Sequence, residues 1–270
     1  MQRHVRLNIR GSASDLSKIV SIMEGKVDEI SSHTMEYGFI TIRSDQAREG
    51  YLILLKLIEE RNLDYSYAES RSYTKKEMAA AAFFHMNVPY MWEQPERDAA
   101  YYGTRFNNTN MGCECQWQQA SELMLDVKKM KKWQLVTMAP QFVVTEHAMN
   151  TILDYGLSGC EFSPAHDYKG RELGAVYQMH ITSILPLLNP RTRIETDYRH
   201  AQCRHCVSGV FPRSELFYEQ ADFAAAQDFN LTYERLNGLV VREPVVSRNV
   251  RDAFRANRIK VHGYDPVALL

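Results

Sequence analysis

Four of the five cysteines of this chain fall in two short islands, "MGCECQW" at residues 111–117 and "HAQCRHCVS" at residues 200–208. Zinc in proteins takes four tetrahedral ligands, and two short turns that each supply two thiolates are a common way to hold it. Shared ligation would require two segments that are distant in the sequence to meet in the fold. The pattern predicts one zinc site with the ligands Cys113, Cys115, Cys203 and Cys206.

Other interpretations of the islands stay open. The cysteines could be unrelated, or His200 or His205 could replace one thiolate. A redox C-x-x-C is disfavoured because Cys203 follows "YRHAQ" rather than standing between an apolar strand and a helix. With four thiolates the site would be closed to water and substrate, so its zinc would be structural. The fifth cysteine, Cys160 in "GLSGCEF", is interpreted as a small buried hydrophobe.

Composition narrows the class of protein. A chain of 270 residues can bury one large core or two small ones without disulfides. Lys plus Arg number 32 and Asp plus Glu 33, so no bulk charge attracts nucleic acid or anionic membrane. The N-terminus lacks the apolar region of a signal peptide, and no apolar run approaches the ~20 residues that span a bilayer. We therefore expect a cytoplasmic protein, whose reducing environment favours metal ligation over disulfides.

The pattern of apolar residues in the segment 1–87 predicts an N-terminal α+β unit. "HVRLNIRG", "YGFITIRS" and "DYSYAESRSY" are typical of strands; "SDLSKIVSIME", with Ser14 as cap, and "QAREGYLILLKLIEERN" are typical of helices over one sheet face. "TKKEMAAAAFFHM" predicts a further helix with Thr74 as N-cap and Glu77 in a capping box. Residues 88–111, rich in Pro, Asn and aromatics, are interpreted as a linker region, followed by a second domain at 112–270.

The second domain contains an internal similarity. "VVTEHAMNTILDYGLSGCEFSPA" and "VVSRNVRDAFRANRIKVHGYDPV" align with Thr145 on Ser247 and Pro164 on Pro266. Each predicts a strand, a hydroxyl N-cap, a short helix, a stop residue at positive φ (Gly156, Asn257) and an extended piece ending in aromatic-x-Pro. The predicted fold class is α+β: a small N-terminal α/β sandwich unit followed by a zinc-knuckle α/β domain of two pseudo-repeated strand–helix–strand halves. Chance similarity is the alternative for the repeat.

No sequence motif nominates a catalytic nucleophile. The loop "AHDYKGRE" at 165–172 gathers His166, Asp167, Lys169, Arg171 and Glu172, but a solvated turn around Gly170 is the simpler interpretation. The run at 191–205 holds four Arg and two His beside Glu195 and Asp197, so a nucleic-acid contact is conceivable but a solvated surface is favoured.

The order of these parts in residues 105–270 resembles that of the double-CXXCG-motif proteins of bacteria, which are grouped with toxin immunity proteins. The shared order is a first cysteine pair before Trp117, the segment "FVVTEHAMNTILDYGLSGCEFSP", the pair "CRHC", then "SELFYEQADF" and the closing segment. The chain departs from the pattern at Cys113-Glu-Cys115 and at Val207, where the family has glycine. The resemblance implies a structural Zn²⁺ and a binding protein rather than an enzyme.

Together with the cysteine spacing, the resemblance implies a cytoplasmic, zinc-stabilised immunity protein that neutralises a cognate toxin domain by direct contact. No catalytic residue and no organic cofactor is expected, and neither membrane nor nucleic acid is the expected partner. The alternatives are an enzyme acting at the 165–172 loop and a zinc-dependent nucleic-acid-binding protein.

Overall fold

A computed structural model describes residues 2–31, 38–92, 99–108, 117–138, 140–192, 194–196, 209–212, 214–236 and 241–270. The chain divides into two compact units, Met1–Ala79 and Ala80–Leu270. Within the described ranges the fold is mixed α/β, with several small and mainly antiparallel sheets and five α-helices.

The first unit is a four-stranded antiparallel sheet with two helices. Its elements are β1 (Gln2–Arg10), α1 (Ala13–Met23), β2 (Glu29–Ser31), β3 (Phe39–Asp45), α2 (Glu49–Glu60) and β4 (Tyr65–Ser72). The strand order β2-β3-β1-β4 is that of the ferredoxin-like βαββαβ motif. The three strands and two helices predicted for this segment are confirmed.

Strict alternation of apolar residues places the core of this unit on one sheet face. Every second residue of β1 and β3 is buried, and the helices add an apolar stripe over them; the core includes Val5, Leu7, Ile9, Ile40, Ile42, Leu16, Ile19, Leu54 and Ile58. Burial of this stripe stabilises both helices, whose own backbone propensity is modest.

Two helix starts differ in how well they were predicted. Ser12, rather than Ser14, caps α1, and its Oγ accepts a hydrogen bond from the Asp15 N–H at 3.1 Å. The predicted capping box of Thr74 and Glu77 is confirmed, because each side chain binds the backbone N–H of the other. The helix it begins, α3 (Lys75–Ala80), is shorter than predicted and ends before "FFHM".

The second unit contains fourteen described strands and two longer helices. The helices are α4 (Glu146–Asp154) and α5 (Arg248–Ala256); short 3-10 helices lie at Ala99–Tyr102, Val127–Met130 and Gln220–Phe223. The strands are β5 (Phe83–Asn87), β6 (Phe106–Asn108), β7 (Trp117–Gln119), β8 (Leu135–Met138), β9 (Gln141–Thr145), β10 (Cys160–His166), β11 (Glu172–Ile181), β12 (Ile194–Thr196), β13 (Gly209–Pro212), β14 (Phe217–Tyr218), β15 (Phe229–Leu236), β16 (Val241–Ser247), β17 (Gly263–Pro266) and β18 (Ala268–Leu269).

These strands form two four-stranded antiparallel sheets and three two-stranded pairs. The larger sheets have the orders β10-β11-β9-β8 and β15-β16-β5-β17. The pairs are β6-β7 and β12-β13, which are antiparallel, and β14-β18, which is parallel.

Strand β5 places the boundary between the units earlier than residue 87. It is a central strand, with His85 opposite Val245 of β16 on one side and Asp265 of β17 on the other. The predicted helix "TKKEMAAAAFFHM" includes "FFHM", which the structure places in this strand instead. Its β-sheet partners lie far away in the sequence, so tertiary pairing overrides the local preference.

The described part of residues 88–111 is packed chain of the second unit, not a linker. Tyr90 forms a parallel bridge to Thr137, and Trp92 is fully buried in a core with Leu123 and Val143. Irregular packed chain and linkers share a composition rich in Pro, Asn and aromatics, so composition could not separate them.

The two aligned segments each contain the expected local elements. Thr145 caps α4 by accepting a hydrogen bond from the Ala148 N–H, and Ser247 caps α5 by accepting one from the Val250 N–H. Gly156 has φ +61°, as predicted. Asn257 does not have positive φ; the left-handed residue is its neighbour Arg258, at φ +58°.

Candidate metal centre and its supporting strands

Both cysteine islands lie in segments that connect the strands of a two-stranded antiparallel pair. Cys113 and Cys115 lie between β6 and β7, and Cys203 and Cys206 lie between β12 and β13. These four cysteines, together with His200 and His205, lie outside the described residues. The strands on either side of each island are described, so the points at which the chain enters and leaves each island are known.

The first island is closed at its base by the β6-β7 ladder. Asn108 is paired with Trp117, and Phe106 with Gln119. Residues paired in this way have Cα atoms about 4.5–5.5 Å apart. The chain therefore leaves and re-enters the sheet at one point, which is the base that a metal-binding turn requires.

A reciprocal amide pair holds this hairpin to strand β11. Gln119 Nε2 donates to Gln178 Oε1 at 2.8 Å, and Gln178 Nε2 donates to Gln119 Oε1 at 2.7 Å. Gln178 is buried on β11. Since a buried amide without partners is costly, this pair fixes the position of the hairpin base.

The second island has a similar base. Ile194 is paired with Pro212 and Thr196 with Gly209, with an irregularity between Glu195 and Thr196. Ile194 packs against a core that contains Leu188, and β13 lies next to β15. The second hairpin is thus attached beside β15.

Strands β11 and β15 are themselves neighbours. The chain that leaves β11 forms a parallel bridge from Ile184 to Leu231 of β15. The Leu185 N–H donates to the Leu231 carbonyl at 2.9 Å, and the Leu231 N–H donates to the Ser183 carbonyl at 2.8 Å. Both island bases are therefore anchored to adjacent strands of one unit.

Among the described residues there is no group of three or more His, Cys, Asp or Glu side chains placed to hold a metal ion. Cys160 begins β10 as a free, half-buried thiol, less buried than predicted. Its burial, with the negative charges of Asp228 and Glu161, raises its pKa to about 12, so it stays protonated at neutral pH.

The 165–172 loop is a tight turn between β10 and β11 that Asp167 holds together. Asp167 Oδ1 accepts hydrogen bonds from the backbone N–H groups of Lys169 and Arg171, and Oδ2 accepts two from the Arg171 guanidinium. The bonds from Arg171 lower the pKa of Asp167 to about 2. Gly170 has φ +74° at the turn, which fits the interpretation of a turn around this glycine.

His166 is tied to the preceding chain through its backbone. Its N–H donates to the Leu123 carbonyl, and its carbonyl accepts from the Leu125 N–H. Its Nδ1 is buried, and no hydrogen-bond partner for it occurs in the described ranges. Asp167 and Arg171 therefore satisfy each other and the backbone of the turn.

Sequence reasoning missed the pair Gln119–Gln178. Gln178 follows Val176 on the same face of a strand whose apolar residues point inward, so a buried polar side chain was detectable there. Its partner could not be found from spacing, because no regular period connects β7 with β11.

Comparisons with known proteins give no family assignment. No protein-family model matches the chain, and a search of curated proteins finds no match either. Among the described helices, none is both long and apolar enough to cross a membrane.

Proposed function

We propose that this chain is a zinc-stabilised, cytoplasmic immunity-type protein that neutralises a bacterial toxin by direct protein–protein contact. The observation that carries the proposal is that the strand pairs flanking the two islands, β6-β7 and β12-β13, lie against β11 and β15, which contact each other. Two thiolates from each of two hairpin ends are a donor set that suits zinc. The resemblance to double-CXXCG-motif proteins supports the same combination.

Cys113, Cys115, Cys203 and Cys206 would hold the ion. A zinc saturated by four thiolates contributes folding energy and activates no water. The chain's own contribution is to hold each hairpin base closed and to fix the first base through Gln119 and Gln178. On this proposal, the metal connects the two halves of the second unit.

The two halves are proposed to be pseudo-symmetric. In each large sheet, the strand before the helix (β9, β16) lies between a hairpin partner (β8, β15) and a third strand (β11, β5), and the strand after the helix (β10, β17) lies at the edge. The helices α4 and α5 contact each other. The second half takes its third strand, β5, from the start of the unit.

A binding role is favoured over catalysis at the 165–172 loop. Asp167 is engaged by four hydrogen bonds and has a strongly lowered pKa, so it is a poor proton acceptor at neutral pH. The bulk charge favours neither nucleic acid nor membrane. We therefore favour binding to a protein partner over catalysis at the 165–172 loop and over nucleic-acid binding.

Metal content tests the zinc part of the proposal. Protein purified from cytoplasm without added metal should contain about one zinc per chain by elemental analysis. Cys206→Ser should lose the metal and destabilise the second unit, whereas Cys160→Ala should retain it. Equal zinc in both variants, or an intact disulfide within either island under reducing conditions, would show that the ligand assignment is incorrect.

Toxin protection tests the binding part. The probe is the protein encoded beside this chain's gene, expressed in cells with and without the chain. Cys203→Ser should lose thermal stability and protection together. A loop variant carrying Tyr168→Ala and Lys169→Ala should keep both, because Asp167 and Arg171 still hold the turn. A loop variant that folds normally but gives no protection would place the function at the loop instead.

A further inference from the structure

The turn after α5 lies against two other segments of the second unit. The Nε2–H of His147, in the first turn of α4, donates to the Asn257 carbonyl at 3.0 Å. The ring of His262 meets the ring of Trp133 edge to face, with the ring centres 5.2 Å apart. Three segments of the chain therefore come together at this point: residues 131–133, 146–147 and 257–262.

These three segments are rich in positive charge. They hold four basic side chains, Lys131, Lys132, Arg258 and Lys260, and one carboxylate, Glu146, in a chain whose net charge is -1. All five side chains are exposed. Within the described ranges, none of the four basic side chains forms an ion pair with a carboxylate. Their positive charge therefore faces solvent.

Two of the lysines flank the pair of rings. Lys132 Nζ lies 5.9 Å from the centre of the Trp133 ring, which His262 meets edge to face. Lys260 stands two residues before His262, and both are exposed, while Val261 between them is half-buried. This alternation of exposure is that of extended chain, in which residues two apart share a side. The two lysines and His262 therefore share one exposed surface.

Lys131 and Arg258 bring two more charges to this surface. Each stands within two residues of Lys132 or Lys260, so its Cα lies at most about 7 Å from the Cα of that lysine. This distance is within the screening length of about 8 Å at physiological ionic strength, so the charges act together. Both residues also have positive φ, +50° and +58°, which glycine adopts more readily than other residues. A cation stands at each position although glycine would be less strained there.

The chemistry of this surface fits an acidic protein segment better than a nucleic acid. Lysine and arginine side chains donate charge-assisted hydrogen bonds to carboxylates. Domains that bind nucleic acids are usually basic as a whole, and those that bind single strands offer aromatic faces to the bases. Here the net charge of the chain is -1, and the Trp133 ring packs against a core. A small basic surface on a nearly neutral chain therefore favours a carboxylate-rich surface of a protein.

We propose that a basic surface docks a carboxylate-rich segment of a protein partner; it consists of Lys131, Lys132, Arg258, Lys260 and His262. The inference rests on the proposed function, since it names the face that meets the toxin. Exposed charges of this kind act mainly on the rate of association, because they attract an oppositely charged surface before close contact. Association should therefore be fast at low salt and become slower as salt is added.

Fluorescence anisotropy with a defined probe and the full chain tests the basic surface. A fluorescein-labelled ten-residue peptide of alternating Glu and Ser should bind, and the same peptide with Gln in place of Glu should not. Lys132→Gln with Lys260→Gln should weaken binding by about tenfold. The control pair Lys26→Gln with Lys76→Gln, both exposed in the first unit, should bind as the natural chain does. Unchanged binding in the first pair, or an equal loss in both pairs, would overturn the proposal.

A glycine substitution separates the effect of charge from that of folding. Lys131→Gly removes a charge where φ is +50°, so peptide binding should weaken by about twofold or more while Tm stays the same or rises. Asn62→Gly, where φ is +48° in the first unit, is the control and should leave binding unchanged. A loss of binding that comes only with a lower Tm would indicate a structural role and overturn the proposal. So would tighter binding of a twelve-nucleotide oligothymidine that Lys132→Gln with Lys260→Gln abolishes.

The product of the neighbouring gene separates this inference from the proposed function. Lys132→Glu with Lys260→Glu should slow its association by about tenfold or more, while zinc content stays at about one per chain. If the natural chain binds the acidic peptide but not that protein, the toxin assignment fails and the basic surface stands. If the natural chain captures that protein and the Glu variant does so at the same rate, the basic surface fails and the toxin assignment stands.

Discussion

Asp228, the residue before β15, is expected to contribute strongly to the stability of the second unit. Its Oδ2 accepts from the N–H and the Oγ of Ser158 at 3.1 Å each, and its Oδ1 accepts from Ser247 Oγ at 2.5 Å. Its carbonyl also accepts from the Ser247 N–H. One side chain thus joins the start of β15, the turn after α4 and the N-terminus of α5.

The cost of Asp228→Ala follows from these bonds. Hydrogen bonds to a charged group contribute about 1.5–3 kcal/mol each when shielded from water, and an anion beside a helix N-terminus adds about 0.3–1 kcal/mol. Because the carboxylate is only partly buried, we expect a total loss of about 3 kcal/mol in the free energy of unfolding. For a unit of this size that loss corresponds to about 6–12 °C in Tm.

Tryptophan fluorescence is the assay, since Trp92, Trp117 and Trp133 all belong to the second unit. Asp154→Asn, at an exposed helix end, is the control and should change stability by less than about 0.5 kcal/mol. A loss below about 1 kcal/mol for Asp228→Ala, or equal effects of the two substitutions, would refute the reasoning.

The pH dependence gives a second test of the same site. Burial would raise the pKa of Asp228, but hydrogen bonds from Ser247 and Ser158 outweigh it, so the folded pKa lies below the ordinary value. A lowered folded pKa means that the stabilisation is present above the unfolded pKa of about 3.9 and is lost as pH falls through the folded value. The difference in unfolding free energy between the natural chain and the Asp228→Ala variant should therefore become smaller in acid.

Two further substitutions test the packing of the second unit. Gly159→Ala should lower the free energy of unfolding in urea by more than about 3 kcal/mol, because its Cβ would lie 2.2 Å from the Phe229 carbonyl oxygen and its φ is +91°. The control Gly156→Ala, where φ is +61° and nothing lies within 4 Å of the added Cβ, should cost only about 1–2 kcal/mol. Similar losses for the two variants would contradict the packing argument. Gln178→Ala should lower the free energy of unfolding by about 1–3 kcal/mol and weaken zinc retention in a chelator competition, because Gln119 loses its partner. Replacing both Gln178 and Gln119 by Leu should restore stability. If it does not, the loss in Gln178→Ala does not come from the broken amide pair.

Local patterns predicted the first unit well. Apolar alternation in β1 and β3 and the 3.6-residue stripe in α1 and α2 agree with the fold, because each element buries one face against the others. The cap of α1 was misplaced by two residues since Ser12 and Ser14 are both good N-caps, and backbone geometry selects between them.

Long-range pairing limited what could be predicted for the second unit. β5 was interpreted as the end of a helix because its sheet partners, β16 and β17, lie at the far end of the chain. The cysteine islands were identifiable from spacing alone, yet the hairpin bases that frame them were not, since β6, β7, β12 and β13 are only three or four residues long.

The position of β5 in the middle of the sheet β15-β16-β5-β17 has a consequence for synthesis on the ribosome. The strand is made early in the second unit, but most of that unit must be made before its neighbours β16 and β17 follow. Contacts of such large sequence separation form slowly, because a long loop must close before they are gained. The first unit can fold as soon as its own residues are made, whereas the second must wait with the edges of β5 unpaired until β16 and β17 have been made.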